Sequence, residues 1–136
     1  MASLPDFARG PMSALNLAAL LLALAGIAHS YLGERYILIR LLRRADLPRL
    51  LGGTQFTARI LRLAWHATSI AWWGFAAVLA IVARGEPTRR DICWVTGITF
   101  LLTGVAILAW TRGTHLAWIV FLVVGAICMR VALDWS

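Results

Sequence analysis

The sequence contains no lysine, so all thirteen of its basic residues are arginines. Charged residues of both signs make up only 14% of the chain, against about a quarter in ordinary soluble domains. Two cysteines, Cys93 and Cys128, are too few to define a disulfide framework. There is no glycine-rich phosphate loop, no Gly-x-Ser-x-Gly nucleophile motif and no pair of catalytic carboxylates. The sequence therefore offers no catalytic residue and favours a function other than that of an enzyme.

Hydrophobic residues, in contrast, reach 61% of the chain, and the mean hydropathy is +0.80. They are gathered in four runs that predict membrane spans at about residues 12–33, 58–83, 92–111 and 115–133. Each run holds roughly 20 residues, the number that crosses about 30 Å of hydrocarbon at 1.5 Å rise per residue. Short connections favour antiparallel packing of neighbouring helices. We therefore predict one integral membrane domain over residues 1–136, an all-α protein with four transmembrane helices in an antiparallel bundle.

The longest connection, residues 34–55, lies between the first two spans. Its first part, residues 35–44, is a basic amphipathic segment that either lies in the headgroup layer or extends the first helix. Pro48 is expected to end that segment, because the residue before a proline avoids the α-helical region. Thr54 or Thr57 is expected to cap the second span.

The arginines are distributed unequally between the two sides of the predicted membrane domain. Because cytoplasmic loops are enriched in basic residues, this asymmetry predicts a bacterial cytoplasmic (inner) membrane protein with its long loop inside and both termini outside the cytoplasm. One side holds Arg35, Arg40, Arg43, Arg44, Arg49, Arg59, Arg62 and Arg112; the other holds Arg9, Arg84, Arg89, Arg90 and Arg130.

Three histidines are expected at one membrane face, because the spans alternate in direction. His29 lies near the end of the first span, His66 in the first part of the second, and His115 at the start of the fourth. Glu34 lies at the same face. Three imidazoles and a carboxylate are a sufficient ligand set for zinc, iron or copper. His29 and His66 alone could supply the two axial ligands of a haem between the first two helices.

The same residues also permit a purely structural interpretation. Glu34 paired with Arg62 would neutralise both charges and tie the first two helices together. Arg62, His66 and Ser69 share one face of the second span, and Ser30 stands four residues before Glu34, so these side chains would support the layer. On an ideal helix His29 and Glu34 point about 140° apart, and they converge only if the backbone bends at Gly33.

The sequence is compatible with three functions. The first is a small membrane protein whose His/Glu/Arg layer binds a metal ion, a haem or an anionic lipid. The second is a non-catalytic accessory or assembly subunit of a membrane complex, and the third is a small oligomeric transporter. Small multidrug transporters resemble one another in a glutamate deep in the first span, whereas Glu34 stands at the exit of that span. The expected partners are a bilayer with anionic headgroups and a homo-oligomer or larger complex, and nucleic acid is excluded because no soluble module would carry it.

Overall fold

The computed structural model describes residues 10–50 and 53–134, and this part of the chain is built from helices with no β-strand. Four of the helical runs are long and apolar enough to cross a membrane, which confirms the predicted all-α, four-span fold. The helices are α1 (Pro11–Leu32), a π-helical segment (Gly33–Leu38), α2 (Ile39–Leu41), α3 (Thr54–Val82), α4 (Arg89–Thr111) and α5 (Ala117–Asp134). Arg9, one of the arginines used to predict orientation, lies outside the described residues.

The first span is longer than its hydropathy predicts. α1, the π-helical segment and α2 form one run from Pro11 to Leu41, 31 residues or about 46 Å, so the basic segment after the span extends the first helix. The run ends at Leu41, several residues before Pro48, and an ion pair between Arg44 and Asp46 follows it. The Arg44 side chain donates to both carboxylate oxygens of Asp46, at 2.9 and 2.7 Å. This guanidinium holds the pKa of Asp46 below its usual value.

The start of α3 corrects the predicted capping residue. Gly53 occupies the cap position, and neither Thr54 nor Thr57 caps the helix with its side chain. The Thr57 hydroxyl instead donates to the carbonyl of Pro48 at 2.6 Å and accepts from the Leu50 amide at 3.3 Å. Thr57 therefore fastens the end of the long connection onto the first turn of α3.

The start of α4 carries a capping box. The Thr88 hydroxyl accepts from the Asp91 amide at 3.1 Å, and the Asp91 carboxylate accepts from the Thr88 amide at 3.0 Å. These bonds satisfy amide groups that have no partner within the helix.

Replacing Thr88 with alanine should lower the free energy of unfolding by about 1 kcal/mol, the usual loss for a removed N-cap hydroxyl. Unfolding in mixed micelles titrated with a denaturing detergent would measure it. Thr114→Ala is the matched control, because the Thr114 hydroxyl bonds only the carbonyl of Thr111 in the α4–α5 turn. An equal loss in both variants would show that the capping box adds nothing beyond an ordinary hydroxyl bond.

The four spans pack as an open row in chain order. Within residues 10–50 and 53–134, α1 contacts α3, α3 contacts α4, and α4 contacts α5, whereas α1 touches neither α4 nor α5. Each neighbouring pair is antiparallel, as predicted. Glycines bring α4 and α5 closest together, with Gly97 against Met129 and Gly104 against Leu122. Cys93 and Cys128 are separate free thiols, one on each of these helices.

The antiparallel pair formed by α1–α2 and α3, called here the α1–α3 hairpin, projects beyond α4 and α5. The His66 ring lies 6.1 Å from the ring of Trp110, which is next to the last residue of α4. The twelve residues of α3 that precede His66, from Thr54 to Trp65, therefore extend about 18 Å past the end of α4. The residues of the predicted polar layer lie at the base of this projection.

Candidate polar site between the first two spans

Two serine–histidine hydrogen bonds cross between α1 and α3. The His29 Nδ1 atom lies 3.1 Å from the Ser69 hydroxyl, and the Ser30 hydroxyl lies 2.6 Å from the His66 Nδ1 atom. His29 and Ser30 are adjacent on α1, while His66 and Ser69 are one turn apart on α3, so each helix contributes one serine and one histidine. The Ser69 side chain is buried, with 1% exposure, so its hydrogen bond fixes how the two helices pack.

Glu34 receives two contacts from α3 at one carboxylate oxygen. The Nε atom of Arg62 donates to Glu34 Oε2 at 3.0 Å, and the Nε2 atom of His66 lies 3.3 Å from the same oxygen. The predicted Glu34–Arg62 salt bridge is confirmed. The side chains of Glu34 and Arg62 are each 32% exposed, so water screens part of the attraction between them.

The π-helical segment begins at the glycine before Glu34. The amide of Ile39 bonds the carbonyl of Glu34, a five-residue step that marks the wider π turn. A helical bulge is thus present at Gly33, and such bulges are common at functional sites. Glu34 therefore meets Arg62 and His66 on α3, and its place in the α1–α3 contact comes from the bulge and not from an ideal α-helix.

Three tryptophans of α3, Trp65, Trp72 and Trp73, contact α1 at or near His29. The Trp65 ring stacks on the His29 ring with centroids 4.4 Å apart and planes 5° apart, and its indole nitrogen donates to the His29 carbonyl at 2.9 Å. The Trp72 ring packs on His29 in a tilted arrangement at 4.8 Å. Trp73 donates to the carbonyl of Ala23 at 3.1 Å. Trp72 and Trp73, near the middle of α3, therefore both contact α1.

The contacts of Trp65 and Trp73 each depend on a glycine of the first helical run. A β-carbon at Gly33 would overlap the Trp65 indole, and one at Gly26 would approach the Trp73 indole nitrogen to 2.5 Å. A larger residue would hold the helices apart and break the indole–carbonyl hydrogen bonds. The sequence contains these tryptophans and glycines but no periodic signal that pairs them across 32 to 47 positions, so these contacts were missed.

The predicted metal ligands are not assembled as a set. Among the residues that the structure describes, no three His, Cys, Asp or Glu side chains are placed to hold a metal ion. His115 lies in the turn before α5 and accepts locally from the Ala117 amide at 3.3 Å. His66 has both ring nitrogens engaged, by Ser30 and Glu34, so ligation of haem or metal would require it to give up one of these contacts. Metal or haem binding stays a prediction.

Positive charge is concentrated where the α1–α3 hairpin projects. This region, together with the α4–α5 turn, is called here the basic end. It holds eight arginines and two carboxylates, whereas the described residues at the opposite end hold four arginines and three carboxylates. Arg44 and Arg62 are the paired arginines of the basic end. The side chains of the remaining six have no ion pair or hydrogen bond within residues 10–50 and 53–134: Arg35, Arg40, Arg43, Arg49, Arg59 and Arg112.

Comparison with known proteins gives no relative from which a function could be transferred. No protein-family model, no curated protein and no solved structure matches the chain. The functional conclusion therefore rests on the geometry and the charge of the site.

Proposed function

We propose that this small polytopic membrane protein binds the headgroups of anionic lipids at its basic end. The observation that carries the proposal is the set of six arginines there that lack a carboxylate partner within the described residues. Arginine side chains near a membrane surface are attracted to anionic lipids by about 1 kcal/mol each. A planar guanidinium also matches the geometry of a phosphate with two parallel hydrogen bonds.

The position of these arginines along the helices supports the proposal. With α4 and α5 crossing the hydrocarbon, the projecting part of the hairpin begins at the level of Trp110, and tryptophan is typical of the membrane–water interface. Arg35 and Arg40 then stand at headgroup level, one on the π-helical segment and one on α2. Both are exposed, so their guanidinium groups are accessible to phosphates.

Arg62 also has donors available for a phosphate. It uses its Nε atom for Glu34, and its two terminal nitrogens have no hydrogen bond within the described residues. Glu34 fixes the direction of the guanidinium without occupying all of its donors. In this proposal Glu34, one of the predicted metal ligands, therefore positions the Arg62 guanidinium for a phosphate.

Replacing Arg43 with glutamine should weaken the apparent affinity for phosphatidylglycerol roughly fivefold, the equivalent of about 1 kcal/mol for one surface arginine. The measurement is the rise in unfolding temperature when phosphatidylglycerol is titrated into protein in a neutral detergent, with phosphatidylcholine as the reference lipid. Arg90→Gln is the matched control, because Arg90 is an exposed arginine at the opposite end. Equal stabilisation by both lipids, or an equal loss in both variants, would contradict the proposal.

A second candidate, an accessory subunit of a membrane complex, is favoured by the open row of helices. In the described part of the chain α1 and α5 each have one neighbouring span, and both carry exposed leucine, isoleucine or valine side chains. Chemical cross-linking in native membranes tests it: products that contain only this chain would contradict a role in a complex with other proteins.

A further inference from the structure

A stripe of side chains runs along α3 from the basic end towards the middle of the helix. Its members are separated by three or four residues, so they lie within about 80° of one another around the helix axis. The upper members are charged or polar and the lower ones are apolar. The stripe consists of Arg59, Arg62, His66, Ile70, Trp73 and Ala77.

The stripe lies between two flanking helices that do not meet, and its side chains stay partly exposed. On one side the first span packs on α3 through Trp65 and Ser69. It also contacts three members of the stripe, which are Arg62, His66 and Trp73. On the other side α4 packs on α3 where Gly74 contacts Thr99. Since α1 and α4 do not contact each other within the described residues, the part of α3 between them is left as the floor of a groove.

In the lower half of the groove lies a partly open apolar cavity of about 220 Å³. The Thr99 hydroxyl at its edge donates to the carbonyl of Val95 at 2.8 Å, so this polar group is already satisfied. The cavity is lined from α3 by Ile70, Trp73 and Ala77, and from α4 by Val95, Ile98 and Leu102.

We propose that the stripe is a binding site for one anionic phospholipid, with the phosphate at Arg59 and Arg62 and an acyl chain in the apolar cavity. This inference rests on the proposed function and specifies where one lipid binds. The cavity begins about 12 Å along α3 from Arg62, at Ile70, and ends about 22 Å away, at Ala77. One headgroup layer and half of the hydrocarbon core together measure about 21 Å, so a chain whose phosphate lies at Arg62 ends near Ala77.

The size of the cavity and its charge favour a lipid over a protein segment. A helix about 10 Å across would occupy on the order of 900 Å³ over the same eight residues of α3, far more than the cavity holds. Arg59, at the top of the stripe, is half-buried, and its side chain has no ion pair or hydrogen bond in the described part of the chain. A phosphate would supply the anion that this arginine lacks.

A second apolar cavity of about 250 Å³ lies on the other side of the same α3–α4 contact and provides an internal control. Ala71, Phe75 and Val78 line it from α3. One, two and three turns towards the basic end, the residues of α3 above it are Ala67, Ala64 and Ile60, which carry no charge. The two cavities are thus similar in size and polarity, and only the first lies below arginines.

The test uses phosphatidylglycerol with a photoreactive group in the middle of one acyl chain, and phosphatidylcholine with the same chain. The full-length protein is reconstituted in bilayers, irradiated and mapped by peptide mass spectrometry. Labelling of the first cavity should be roughly fivefold stronger with phosphatidylglycerol, and labelling of the second should be equal with both lipids. Equal labelling of the first cavity by both lipids would overturn the inference.

Two matched variants sharpen the test. Ala77→Phe fills the first cavity and should abolish its labelling, whereas Ala71→Phe fills the second and should leave the first labelled. Arg59→Gln leaves both cavities intact and should weaken the preference for phosphatidylglycerol, so the inference stays falsifiable if a phenylalanine variant does not fold. If phosphatidylglycerol still stabilises the protein while Arg59→Gln keeps the full labelling preference, this site is wrong and the proposed function stands.

Discussion

Replacing Gly33 with alanine should lower the free energy of unfolding by about 2 kcal/mol, although alanine is the better helix former. The added methyl group would overlap the indole of Trp65, which cannot move away freely because it is stacked on His29 and donates to the His29 carbonyl. The structure must open between α1 and α3 to accept the change. Unfolding in mixed micelles titrated with a denaturing detergent measures the loss.

The sign of this effect should reverse once Trp65 is removed. In a Trp65→Ala background the methyl group meets no indole, and Gly33→Ala should then raise stability by up to about 1 kcal/mol through helix propensity alone. Gly26→Ala is a graded comparison, because the Trp73 ring that it would meet is 41% exposed and has more room to move. A similar loss in both backgrounds would show that Trp65 is not the cause.

Replacing Glu34 with alanine should lower the free energy of unfolding by about 2 kcal/mol, and Glu34→Gln by about half as much. The carboxylate accepts from Arg62 and contacts His66, and hydrogen bonds to charged groups contribute about 1.5–3 kcal/mol each before screening. We take the lower part of that range, because a third of each of the Glu34 and Arg62 side chains is exposed.

A double-mutant cycle with Arg62→Gln isolates the pair. Once Arg62 is neutral, Glu34→Gln should have a much smaller effect, since the charge that it compensated is gone. Glu86→Gln is the control, because Glu86 is an exposed carboxylate in the loop at the opposite end. If the two glutamate-to-glutamine changes have equal effects, Glu34 does not stabilise the α1–α3 contact.

The number and approximate position of the spans could be predicted because hydrocarbon imposes a length on every apolar run. Three of the four spans both begin and end within a few residues of the predicted bounds. The first begins as predicted, but its helical run continues through the π-helical segment and α2 to Leu41. Hydropathy reports where a helix leaves the lipid and carries no information about where the helix ends.

Of the candidate site, only the Glu34–Arg62 salt bridge could be predicted, because opposite charges at one membrane face attract each other. Glu34 and Arg62 are opposite charges near one membrane face, so their pairing follows from composition and topology. The two serine–histidine hydrogen bonds between α1 and α3 form only at one rotation and one shift of α1 along α3. That choice is made by Trp65 fitting against Gly33, a contact of shape that leaves no trace in charge or periodicity.

The histidines show the same limit: the sequence gives their number and position but not whether their ring nitrogens are free to bind a ligand. A sequence gives the number of imidazoles but not the partners that already occupy their nitrogens. Ser30 and Glu34 engage both nitrogens of His66, and this follows from helix packing that composition does not report.

The unequal lengths of the helices affect the bilayer around the protein. α3 has 29 residues and measures about 43 Å, which exceeds a hydrocarbon layer of about 30 Å by about 13 Å. A helix longer than the hydrocarbon layer tilts, projects beyond it or thickens the bilayer around it. The first helical run, of 31 residues, lies beside α3 at one edge of the open row, where lipid covers its outer side. The bilayer should therefore be thickest beside the α1–α3 hairpin.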